Sequence, residues 1–171
     1  MKLRMKLPLA KILPLLILAG VYLLFAIGAP AGFSSLRNLE TILRQTSIVG
    51  TSALGMTLVI AAGGIDLSVG SVVALSTVVI AALMQALELP WLAALGGILA
   101  GMLVGLINGA LITRLRIMPF IATLGTLLLA RGAAKGLAGE QKIDAPLSWL
   151  NQLLASVRGE SGFLVPGGVW L

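Results

Sequence analysis

A chain of 171 residues that is 58% hydrophobic and 11% charged, with a mean hydropathy of +1.08, holds more apolar side chain than a soluble core of its size can bury, so a bilayer is its expected solvent. The net charge of +6 lies in flanks of apolar runs (Lys2, Arg4, Lys6, Lys11; Arg114, Arg116), and the eight aromatics do not interleave with it, which excludes a nucleic-acid face. Cysteine and histidine are absent, which excludes disulfides, Cys/His metal sites, thiol nucleophiles and histidine bases; no catalysis, metal or cofactor is expected.

Five apolar segments follow in order: 12–29, 46–62, 67–86, 91–112 and 119–137. Each has about the length a tilted helix needs to cross the hydrocarbon, and none shows the short alternation of a membrane barrel. The expected fold is therefore all-α, a polytopic helical membrane protein of about five transmembrane helices. The first segment also reads as a signal peptide with AIGAPA as its cleavage region, but its length and the spans behind it favour an uncleaved helix. With the N-terminus inside, five crossings place Arg114 and Arg116 inside as well. The turn at 85–90, with Glu88, then falls outside, as does a polar loop over 138–162 carrying Glu140, Lys142, Asp144, Arg158 and Glu160. Arg37 and Arg44 fall outside, against the rule. The chain closes on FLVPGGVWL (163–171), an apolar run too short to cross, and the expectation is a piece of a longer polypeptide.

Between the second and third segments stands AAGGIDLSVGSVVAL (61–75). Gly63 and Gly64 suit a helix C-terminus, and Asp66 suits an N-cap accepting the N–H of Ser68 or Val69. Two readings remain open: a tight turn at the membrane surface, or a break below it that lines a solute path, with Gly63, Gly64, Asp66, Ser68 and Gly70 as its residues.

In the fourth segment Gly97, Gly101, Gly105 and Gly109 recur every four residues and predict a helix-packing groove. Asn108 beside it is expected to bond to a neighbouring helix, with solute contact as the minority reading. Pro119 suits a helix start, and Thr123 and Thr126 are expected to bond back to their own backbone. Arg131 is placed to snorkel toward the outer interface. No GxxxxGK(S/T) phosphate loop occurs.

ALGMTLVIAAGGIDLSVGSVVAL (53–75) with NGALITRLRIMPFIATLGTLLLARGAA (108–134) resembles the permease subunit of bacterial ABC importers for monosaccharides, the ribose, xylose, galactose, arabinose and autoinducer-2 branch. The resemblance covers about residues 12–171, the N-terminal half of such a permease, and makes 1–171 one transmembrane domain. It implies a multi-pass protein of the bacterial inner membrane, N-terminus cytoplasmic, forming the path of a sugar. The partners it implies are a cytoplasmic ATP-binding subunit, a periplasmic sugar-binding protein and a second permease copy. Family members are about twice as long, and the segment that docks the ATPase has no counterpart here. Around the break, Ser68, Ser71 and Ser76 are the expected hydrogen-bonding groups for a neutral, hydroxyl-rich solute. The alternatives are a half-size secondary transporter, against which Asp66 stands without further acids for proton coupling, and a membrane protein that serves only assembly.

Overall fold

The computed structural model describes residues 9–29 and 32–149, with side chains from Ile12 onward. Lys2, Arg4 and Lys6, the tail from 150 to 162 and the apolar run 163–171 lie outside these. Among the described residues the chain forms five helices and no strand: α1 (Leu9–Gly28), α2 (Leu36–Ala61), α3 (Val69–Leu87), α4 (Pro90–Thr113) and α5 (Pro119–Ala138). The all-α expectation holds. By length and composition α3, α4 and α5 are each sufficient to cross a membrane, and Ile12–Gly28 is a shorter apolar helix.

α2 begins ten residues before the apolar run that announced it. Ser35 starts it, accepting the Asn38 N–H on its hydroxyl (3.3 Å), and Glu40 and Arg44 pair across one turn at 3.2 Å. Those first turns are polar, so apolar content alone does not reveal them.

At its far end α2 stops in a Schellman motif. Gly63 N–H bonds to the Ile60 carbonyl (2.9 Å) and Gly64 N–H to that of Val59 (3.0 Å), with Gly63 at φ +80°. The left-handed backbone is the reason for glycine there, since a Cβ would meet nothing within 4 Å. Gly63→Ala is therefore expected to cost about 1–2 kcal/mol through backbone conformation alone. Thermal unfolding in detergent measures this, and a melting temperature equal to wild type would contradict it.

α3 is the centre of the packed unit, lying against both α4 and α5, which touch each other less. The seams are built from small side chains: Ala81 on α3, Ala93 and Gly97 on α4, and Ala122, Ala130 and Ala134 on α5 are buried. In lipid, where apolar surface has no reason to hide, close backbone approach replaces the hydrophobic drive. Large residues such as Leu106, Leu128 and Leu129 accordingly point outward. α1 contacts the segment after it through Phe33, whose ring lies 5.5 Å from Tyr22 and 5.8 Å from Phe25. No residue of α2 is buried.

Two ends result. The break at 62–68 and the 114–118 connection share one. The α3–α4 turn and the segment after α5 share the other, where Gln85 Nε2 donates to the Asp144 carbonyl at 3.0 Å and Lys142 pairs with Asp144.

Candidate functional site

Residues 62–68 carry no helix; the chain there is tied to the end of α2 through the amides of 62–64, and to α4 and α5 through Ser68 and the Ile65 carbonyl. Asp66 is not itself the N-cap: the first helical carbonyl is that of Ser68, which accepts the Val72 N–H at 2.9 Å. Asp66 acts two residues earlier. Its Oδ1 accepts the Ser68 amide (2.7 Å) and the Ser68 hydroxyl (2.6 Å), an Asx-turn that leads the chain into α3.

The Ser68 hydroxyl hydrogen is thereby committed to the carboxylate, so its oxygen must accept from elsewhere. Asn108 supplies the donor, with Nδ2 at 3.1 Å. That fixes the amide, whose Oδ1 accepts the Thr126 hydroxyl at 2.7 Å. One directional chain of hydrogen bonds thus runs from α5 through α4 to the start of α3 and the acid before it. Ser68, Asn108 and Thr126 are all buried, and Asp66 is half-buried. Thr123 stands beside the chain, 2.8 Å from the Pro119 carbonyl oxygen in its own helix and 3.2 Å from that of Ile65 in the break.

These partners lie inside the helix ends. Asn108 stands five residues inside the end of α4, and Thr126 seven residues inside the start of α5. At 1.5 Å per residue the polar chain lies about 8–10 Å from either helix end. Non-helical backbone at such a level needs protein or water beside it. A cavity of about 400 Å³ is there, walled in part by Val59, Gly64, Asp66, Asn108, Pro119 and Thr123.

Of the five residues expected at the break, Gly64 and Asp66 line this cavity. Ser68 lies behind it, fully buried; Gly63 and Gly70 face open space. Ser71 is buried in α3, and the Ser76 hydroxyl lies against Gly101 of α4. The four spaced glycines divide. Gly97 presses on Ile80, and Gly101 lies near Ser76 and Val72, whereas Gly105 and Gly109 meet nothing within 4 Å and line the cavity instead. Arg131 sits with Lys135 and Glu140 at a second cavity, about 470 Å³, toward the other end. Asn108 is visible in the sequence as an amide inside an apolar run. Its link to Ser68, forty residues earlier, has no local signal.

The family described as branched-chain amino acid transport system / permease component matches residues 38–157. The chain is 41% identical over 140 residues to the ribose import permease protein of Haemophilus influenzae, covering 81% of this chain and 43% of that protein. It is 37% identical over 145 residues to the D-allose transport system permease protein of Escherichia coli, covering 84% and 44% respectively. With the L-arabinose ABC transporter permease protein of Azospirillum brasilense it shares 43% identity over 102 residues, 60% of this chain and 30% of that one. The chain thus spans less than half the length of these curated relatives. No solved structure matches it.

Proposed function

Because the chain belongs to the permease-component family of branched-chain amino acid transport systems, we propose that it forms part of the membrane path of an ATP-driven importer whose cargo is a monosaccharide. The observation that carries this reading is the break between α2 and α3, with its acid, amide and hydroxyls gathered beside one cavity. A neutral polyol needs hydrogen-bonding groups of moderate strength along its way. An amino acid would need a cation for its carboxylate, and no lysine or arginine lines this cavity among the described residues. The sugar names of the relatives favour the same cargo.

On this reading ATP is hydrolysed by a separate cytoplasmic subunit, a secreted binding protein delivers the sugar, and a second permease copy completes the path. The protein resides in a bacterial inner membrane and crosses it five times. The end that carries the break also carries Arg114 and Arg116 in its short connection, which supports a cytoplasmic placement for that end and for the N-terminus. Gly63, Gly64, Asp66, Ser68 and Gly70 then belong to the inner part of the path, and Gly97 and Gly101, which face α3, to its scaffold.

Deleting the gene from its native host is expected to abolish uptake of one labelled sugar among D-ribose, D-allose, L-arabinose and D-fructose. Unchanged uptake of all four would overturn the proposal.

A further inference from the structure

Along the buried chain one side-chain oxygen and one amide hydrogen enter no hydrogen bond among the described residues, and both belong to residues lining the same cavity. Asp66 commits Oδ1 to Ser68, while Oδ2 accepts nothing among the described residues. Asn108 gives one amide hydrogen to Ser68 and receives Thr126 on Oδ1; its second amide hydrogen has no partner among them. A carboxylate oxygen with two lone pairs and an amide N–H are therefore without a partner on two residues that line the cavity. Ser68 is the reverse case. Its hydroxyl donates to one neighbour and accepts from the other in full burial, so it has little left to offer a solute. It instead joins the two side chains, 2.6 Å from Asp66 Oδ1 and 3.1 Å from Asn108 Nδ2, and so holds the free acceptor near the free donor.

We propose that Asp66 and Asn108 form an acceptor–donor pair that reads two neighbouring hydroxyls of a polyol in transit, and that this pair sets which hydroxyl pattern passes. The assignment rests on the sugar-permease reading above. One hydroxyl donates to Asp66 Oδ2, a charge-assisted bond that fixes its orientation. The adjacent hydroxyl oxygen accepts from Asn108 Nδ2. Val59, Ile65 and Ile112 on the same wall offer apolar surface to the C–H face of the ring. Two contacts of this kind orient a solute without trapping it.

The test uses cells deleted for the gene and complemented with the wild-type chain, Asp66→Asn or Asn108→Ala, compared at equal membrane abundance. Uptake is measured for D-ribose, D-allose, L-arabinose and D-fructose, and for the single-position deoxy analogues of whichever sugar is carried. The wild type is expected to prefer the parent sugar over at least one analogue by about tenfold, because a site built for a hydroxyl is left unpaired without it. In both variants that ratio is expected to fall to within about twofold. Asp66→Asn keeps an oxygen for Ser68 and turns the free acceptor into a donor, so it decides the matter even if Asn108→Ala fails to accumulate. A purely structural role lowers uptake of parent and analogue together and leaves the ratio unchanged. A wild-type ratio in Asp66→Asn at normal abundance overturns the assignment while the transport reading stands. Absence of uptake by the wild-type chain overturns both.

Discussion

Gly97→Leu is expected to force α3 and α4 apart and to remove most of the folded protein from membranes. A Cβ at this position would lie 2.5 Å from Ile80 Cγ1, 2.6 Å from Ile80 Cδ1 and 3.2 Å from the Ser76 carbonyl oxygen. Isoleucine in a helix is held to essentially one χ1 rotamer, and the carbonyl is part of the helix itself, so neither yields without a shift of α3. Overpacking of this kind costs about 1–3 kcal/mol, and the remainder of a leucine side chain adds to it. Two comparisons isolate the cause. At Gly96 a Cβ would run into Leu83 Cδ1, the end of a side chain that can rotate away, so Gly96→Ala should be milder. At Gly105 it would meet nothing within 4 Å, so Gly105→Ala should be neutral or stabilising by up to about 1 kcal/mol. Yield of monodisperse protein after detergent extraction reads all three. Equal yields would contradict the close α3–α4 seam.

Asn108→Leu should uncouple the break from α5 and cost about 1–3 kcal/mol, since it leaves buried polar atoms without their partner. The loss is uneven. Thr126 keeps carbonyl acceptors in its own helix, at 3.1 Å on Thr123 and 3.3 Å on Ala122, while the Ser68 oxygen loses its donor. A double-mutant cycle of Asn108→Leu with Ser68→Ala should therefore show a coupling on the order of 1 kcal/mol, in the range found between membrane helices. Reversible unfolding in mixed micelles measures it. Strict additivity would mean that the 3.1 Å contact does not hold the break in place.

The termini of α3, α4 and α5 fall within two residues of where the apolar runs and Pro119 put them. These signals are local, and the bilayer selects for length. α2 escaped in its first ten residues because Glu40, Arg44 and their neighbours are helical without being apolar. The offset at Asp66 is also local in origin. A serine two residues on offers both an amide and a hydroxyl to the carboxylate, so the acid forms an Asx-turn and leaves the cap position to Ser68. Composition could not place Asp66 in depth, because a surface turn and a recessed break use the same residues.

By itself the sequence determined a helical membrane chain, its helix stops, and the double glycine and acid between α2 and α3. Each follows from backbone conformation, donor and acceptor chemistry over a few residues, and the thickness of lipid. Only the tertiary structure decided which faces meet. The spacing that makes Gly97, Gly101, Gly105 and Gly109 look equivalent gives them one stripe, yet α3 crowds Gly97 and leaves Gly105 and Gly109 at a cavity. It also joined Asp66, Ser68, Asn108 and Thr126 into one buried chain. A helix apolar on nearly every side carries no mark of its partner, so that choice rests on how three helices cross.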